Sequence, residues 1–241
     1  MRALGRLLSM LVHLGRGLWI IYGRFPRLEP EARDAAVQAW ARTMLACLGV
    51  QLQVHGEVPQ YGPVLLAANH ISWLDILVLH AARHCRFISK ADIQHWPLIG
   101  TLATAAGTLY ITRESRRDAL RVVHHMAECL RAHEVLAVFP EGTTGDGSTV
   151  LPFHANLFQA AISADAPVVP VGLRFVDRRT GLASFAPCYI GDDTLVASIW
   201  RTLCAQDLAA VVHFGPAQHA AGRDRRSWAA EVRAAVIRLR D

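Results

Sequence analysis

An unbroken apolar run, Val64-Leu65-Leu66-Ala67-Ala68, leads straight into Asn69-His70-Ile71-Ser72-Trp73-Leu74-Asp75. Five apolar residues without a polar interruption suit a buried strand. Residues 71–82 then read as a helix, with Ile76, Leu77 and Leu79 on its apolar face. Open α/β sheets place their ligand sites where such a strand ends and a helix begins. The polar residues at this junction are therefore the first candidates for chemistry.

His70 and Asp75 stand five apart. On one regular helix, at 3.6 residues per turn, their side chains would point about 140° away from each other. They meet only if His70 lies on the turn ahead of the helix and Asp75 reaches back from the first turn. In that arrangement the carboxylate holds one imidazole nitrogen and leaves the other free as a general base. A second reading fits the same residues: Ser72-x-x-Asp75 is a capping box, and His70 a loop histidine with a local partner.

Strand and helix patterns go on alternating along the chain. Strands are expected at 50–55 (an antiparallel edge strand), 85–89, 108–112, 135–139, 167–175 and 211–214, and helices at 114–133, 157–164 and 227–240. Pro170 implies a strand end or a bulge. Such alternation predicts an α/β class with a mixed, largely parallel sheet flanked by helices. Past Phe175 the pattern weakens and carries no functional signal.

Residues 1–22 are apolar but broken by Arg2, Arg6, His13 and Arg16. The run is short for a span, which needs about 20 apolar residues, and no small-residue cleavage site marks a signal peptide. A second helix is expected at 30–48, with Ala36, Ala39, Trp40, Thr43, Met44 and Cys47 on one face. Two apolar helices with arginines and Trp19 or Trp40 read as a two-helix membrane-interface motif. The division is thus an N-terminal helical anchor, 1–49, and an α/β domain, 50–241. Residues 93–112 contain no Asp, Glu, Lys or Arg, but Pro97, Gly100 and Gly107 make them a poor span. They are expected to form a buried helix-turn-strand wall, either lining a slot for a hydrocarbon chain or filling ordinary core.

A formal net charge of +5 beside 52% hydrophobic residues favours an anionic partner: a phospholipid surface, a phosphorylated substrate or an acidic carrier protein. Arginines are scattered and no nucleic-acid module is visible, so nucleic acid is not expected as a partner. Five widely spaced cysteines without Cys-x-x-Cys argue against a disulfide framework or zinc site and for a reducing compartment. Glycines 142, 145 and 147 suggest a phosphate cradle, yet the Walker and dinucleotide spacings are absent, as is the Gly-x-Ser-x-Gly elbow of serine hydrolases. What remains at the strand ends is His70 with Asp75, Lys90, Arg113, and Glu141 with the open amides of Gly142 and Thr143. A base, cations and free amides suit activation of a hydroxyl on an anionic molecule.

Together these motifs resemble the glycerolipid acyltransferase family, typified by 1-acylglycerol-3-phosphate acyltransferase, over residues 51–176. Asn69-His70-x-Ser72-x-x-Asp75 is similar to its His-x4-Asp block, and residues 107–113 (Gly-Thr-Leu-Tyr-Ile-Thr-Arg) to its Gly-x-x-Phe-Ile-x-Arg block, with Tyr110 for phenylalanine. Phe139-Pro140-Glu141-Gly142-Thr143 matches a third block, and Val169-Pro170-Val171 resembles the last. The resemblance implies transfer of a fatty acyl group from acyl-CoA or acyl-carrier protein to the free hydroxyl of a lysolipid. His70 would act as base and Asp75 as its orienting carboxylate. Lys90, Arg113, Glu141, Gly142 and Thr143 would hold the acceptor. No metal or cofactor is needed. It further implies work at the cytoplasmic face of the inner (plasma) membrane, as a peripheral or monotopic protein on an anionic surface.

The departures concern charge. Thr144 stands where the family usually has arginine, His154 where lysine is common, and Asn156 where glycine is usual. A weaker phosphate preference is therefore expected. The first acceptor is 1-acyl-sn-glycerol-3-phosphate, giving phosphatidic acid, and a lyso-ornithine lipid or other non-phosphate lysolipid is the alternative. A non-enzymatic lipid-binding module and an acyl thioesterase are the readings from other classes.

Overall fold

The computed structural model of the chain describes residues 1–111 and 116–241. Helices α1 (Arg2–Gly23) and α2 (Pro30–Leu48) come first. They are followed by β1 (Gln51–Gly56), β2 (Val64–Ala68), α3 (Leu74–Ala82), β3 (Arg86–Lys90), α4 (Ile99–Ala105), β4 (Leu109–Ile111), α5 (Arg116–Arg131) and β5 (Val135–Val138). Then come α6 (Phe158–Ala164), β6 (Val168–Asp177), α7 (Leu195–Cys204), β7 (Leu208–Phe214) and α8 (Arg225–Arg240). The strands pair in the order β1-β7-β6-β2-β5-β3-β4. From β6 to β4 all neighbours are parallel; β7 runs antiparallel to β6 and carries β1 parallel at the edge. This is the mixed, largely parallel sheet flanked by helices that the alternation predicts.

The central strand shows why it is apolar throughout. Val64, Leu66 and Ala68 pack with Leu45 and Leu48 of α2 and Leu74 and Val78 of α3. Leu65 and Ala67 face the other way, onto Met126 and Leu130 of α5, Phe158 of α6 and Trp228 of α8. A strand covered by helices on both faces cannot carry a polar side chain at any position without burying it.

The sequence expectations change in four places. Helix α3 begins at Leu74 rather than at residue 71, which leaves His70 on the preceding turn. The strand at 51–56 is an edge strand, but it pairs parallel with β7, because the antiparallel step falls between β6 and β7. Pro170 lies inside β6 rather than at its end; beside it the β7 ladder breaks off after Phe214 and returns only as a bridge between Val168 and Gln218. The charge-free stretch does fold as helix, turn and strand, but it is not a buried wall. It lies at the β4 edge of the sheet, and Trp96, Leu98 and Ile99 are exposed.

α1 docks on the domain through polar contacts as well as apolar ones. Met10, His13 and Gly17 form its buried stripe. His13 Nε2 donates to Trp40 O at 2.9 Å, and Trp40 Nε1 donates to His13 O at 3.2 Å. Arg6 donates to the carbonyls of Leu203 and Ala205 at the end of α7, where a helix leaves such groups unsatisfied. The opposite face is apolar yet exposed: Leu4, Leu8, Leu11, Val12, Trp19 and Tyr22.

Candidate active site

β2, β5, β3 and β4 are parallel, so their carboxyl ends share one edge of the sheet. β2 ends where Asn69 takes over the pairing. Its side chain donates to Leu173 O at 2.9 Å and accepts from Leu173 N at 2.7 Å, imitating one more residue of ladder. The backbone is thereby freed to turn. His70 Nδ1 then donates to Asp75 Oδ2 at 2.8 Å. The same oxygen accepts the backbone amides of Ile71 at 2.6 Å and Ser72 at 2.9 Å. Pairing and capping thus coexist on one atom. Asp75 is fully buried and its Oδ1 has no partner among the described residues. The His70 ring lies flat on Phe139, 3.9 Å between centroids and 9° between planes, so its remaining rotation is blocked. Nε2 accepts no hydrogen bond among the described residues, and the side chain is 18% exposed.

Glu141 closes the other side. It is buried, and its two oxygens accept His70 N at 2.7 Å and Leu151 N at 2.6 Å. Burial pushes its carboxyl above the usual range, against the opposing pull of the Leu151 and His70 amides. Gly142 adopts φ 72°, open to glycine at little cost. Its amide is not free as expected: it donates to Phe139 O at 3.1 Å, closing the turn. Thr143 is exposed, and its amide has no partner among the described residues. Lys90 is exposed at the carboxyl end of β3, on the same edge as His70. Arg113 lies outside the described residues.

A match to the family model described as Acyltransferase covers residues 51–174. The 1-acyl-sn-glycerol-3-phosphate acyltransferase of Neisseria meningitidis serogroup B is 39% identical over 215 residues, 89% of this chain and 82% of that protein. The chain belongs to the acyltransferase family. A lyso-ornithine lipid O-acyltransferase of Pseudomonas aeruginosa is 38% identical over 197 residues, 80% of this chain and 75% of that one. The fold matches the crystal structure of the 1-acyl-sn-glycerophosphate acyltransferase PlsC from Thermotoga maritima with a TM-score of 0.67, over 99% and 98% of the two chains at 19% identity.

In this acyltransferase a strap that sequence reasoning missed crosses the site. Between β6 and α7, residues 187–189 are stitched to the turn after β2 and to the turn after β5. The Ser72 hydroxyl donates to Pro187 O and the Thr144 hydroxyl to Tyr189 O. Tyr189 N donates to Ile71 O at 3.2 Å. α7 holds the strap from behind, through Ser198 to Pro187 O and Cys188 O, and through Arg201 to Cys188 O at 2.7 Å. Nearly all these bonds end on backbone carbonyls, which leave no mark in a sequence. Burial pushes the Cys188 thiol up to about 11, so it stays protonated and offers no nucleophile at neutral pH.

Glu141→Ala would leave the half-buried backbone amides of His70 and Leu151 without their acceptor. Each such loss costs about 1–3 kcal/mol, so denaturant unfolding should show a fall of about 2–4 kcal/mol with an unchanged m value. A fall below 0.5 kcal/mol, on the order of an ordinary surface substitution, would show that Glu141 does not hold the turn.

Proposed function

We propose that this acyltransferase moves a fatty acyl group from a thioester donor, acyl-CoA or acyl-carrier protein, to the free hydroxyl of a lysolipid. The observation that carries the reading is the buried Asp75 oxygen holding His70 Nδ1 while Nε2 has no partner among the described residues. Nε2 takes the hydroxyl proton as the oxygen attacks the thioester carbonyl. The positive imidazolium that forms sits against Asp75, whose buried charge is then paired. Collapse of the tetrahedral intermediate breaks the C–S bond, and the proton on Nε2 passes to the leaving thiolate. The products are an ester and the free thiol of the carrier. General-base help of this kind contributes roughly 10²- to 10⁴-fold.

The acceptor is 1-acyl-sn-glycerol-3-phosphate, with phosphatidic acid as product. Lys90, Arg113, Gly142 and Thr143 meet its head group, and Glu141 contributes by holding the turn that presents them. A lyso-ornithine lipid or another non-phosphate lysolipid is the second reading, and a specific observation favours it. Thr144, which stands where the family usually has arginine, spends its hydroxyl on Tyr189 O. Residues 1–49 form the membrane-facing unit of the 50–241 domain. The exposed apolar face of α1 lies in the headgroup region with Arg2 and Arg16 toward anionic lipid. The protein works at the cytoplasmic face of the inner (plasma) membrane, as a peripheral or monotopic enzyme.

Purified protein in lipid micelles, given either donor and lysophosphatidic acid, is expected to form phosphatidic acid, with His70→Ala lowering transfer by about 10²-fold or more. Transfer that survives this substitution, or acyl release without any lysolipid, would overturn the reading; the latter is the behaviour of a thioesterase. A charge-assisted phosphate contact contributes about 1.5–3 kcal/mol. Thr144→Arg should accordingly raise the rate ratio of lysophosphatidic acid over lyso-ornithine lipid by about tenfold or more, whereas Thr144→Val, which only loses the strap contact, should not. Equal ratios in all three proteins would remove Thr144 from acceptor choice.

A further inference from the structure

The backbone of His70 is gripped on both sides, and the grip leads to the far end of the chain. Its N–H donates to Glu141, and its carbonyl accepts Gly145 N at 2.9 Å. Glu141 is held in turn by Leu151 N. The loop of residues 145–151 therefore sets where the catalytic turn stands. That loop has no regular structure of its own. Besides Cys188 Sγ, which donates to Asp146 O at 3.5 Å, its outer contacts come from α8.

α8 starts on an Asp224 cap, whose carboxylate accepts Arg226 N and Ser227 N. Trp228, Ala229, Val232, Ala235 and Val236 form its buried stripe. Arg226, Arg233 and Arg240 recur every seventh residue, and seven residues drift only about 20° round a helix, so the three stand in one row beside that stripe. Arg233 donates to Val150 O and Leu151 O, the second at 2.9 Å. Arg240 donates to Gly147 O at 3.0 Å. Arg226 donates nothing to the loop among the described residues, and lines with Arg233 an open cavity of about 290 Å³. The C-terminal end of α8 comes this near because Gly172 has no side chain: a Cβ there would stand 2.6 Å from Leu239 C and Arg240 N.

We infer that Arg233 and Arg240 are positioning residues for acyl transfer, a two-point clamp by which α8 fixes the 145–151 loop and, through Glu141 and Gly145, the catalytic His70. This rests on the proposed role of His70. The clamp ties down a loop that apolar packing holds at only one of its clamped residues: Val150 is buried in the core, whereas Gly147 and Leu151 are partly or wholly open to solvent. Neither arginine touches the reacting atoms. A loosened clamp lets His70 leave the line of attack without altering where the acceptor binds.

Three variants separate this from general stability: Arg233→Met, Arg233→Lys and, as a control on the same row, Arg226→Met. Misplacement by about an ångström can cost as much as about 10²-fold in rate, and losing one of two clamp points should lower kcat by about tenfold with the acceptor KM within about twofold. Lysine, still able to donate to a carbonyl, should restore more than half of the loss, and Arg226→Met should match the parent. Hydrogen exchange of peptides covering residues 69–75 should quicken in Arg233→Met alone, and this readout needs no turnover. If the parent fails to acylate any lysolipid, the functional reading falls while exchange still tests the clamp. Unchanged exchange at 69–75 in Arg233→Met, or a kcat within twofold of the parent, would overturn the inference.

Discussion

One carboxylate oxygen carries the organisation of the site. Asp75 Oδ2 collects three N–H donors, one from an imidazole and two from the backbone of the turn that bears it. Hydrogen bonds to a charged group contribute about 1.5–3 kcal/mol each. The effective cost of burying an ion is several kcal/mol. The two are of similar size, so the carboxylate is tolerable at full burial only because the turn brings its own donors to it. The other oxygen has no partner among the described residues. In the proposed reaction this is the electrostatic gain: a buried carboxylate is best matched when the imidazole beside it becomes positive, as the acceptor hydroxyl gives up its proton. The same three bonds delay the start of α3 to Leu74 and keep His70 off the helix, where it would face away.

Everything around this atom serves to keep the imidazole still. Asn69 ends the strand by copying a peptide, Phe139 covers one ring face, and Glu141 and Gly145 fix the backbone on either side. The parallel strands bring these groups to a common edge, and the antiparallel turn at β6–β7 sends the later chain back over it. The strap at 187–189 and the helix α8 both bond to the turns and loop around His70, although they lie outside the residues that the family model matches. The N-terminal helix joins the same body through Arg6, whose guanidinium completes the end of α7, the helix that holds the strap. A basic residue in an apolar run reads as a contact for lipid headgroups, and here one of them is an internal cap.

What could be read from the residues alone follows from how each signal arises. The continuous run at 64–68 and its polar turn declare a two-sided strand and a site, because burial on both faces allows no other composition. The condition that Asp75 must reach back from the first turn came from helix geometry, and it is what the structure shows. The family blocks supplied Glu141, Gly142 and Thr143, but not that the carboxylate is taken up by two backbone amides or that the Gly142 amide turns inward. The first depends on where His70 and Leu151 stand, well away in the chain, and the second on a local turn bond to Phe139 O. The stretch 93–112 looked internal because it lacks charge, yet its short β4 strand falls at the sheet edge. Hydropathy reports what a segment can tolerate, and sheet order decides what it meets.

The most direct test of this account is the tautomer of His70, read from the nitrogen chemical shifts of protein labelled with ¹⁵N in its histidines, with His70→Ala to assign the signals. The neutral ring should carry its proton on Nδ1, facing Asp75, with Nε2 bare, and Asp75→Ala should abolish that preference. A neutral ring protonated on Nε2 in the parent protein would contradict the account, since the nitrogen assigned to receive the hydroxyl proton would already hold one.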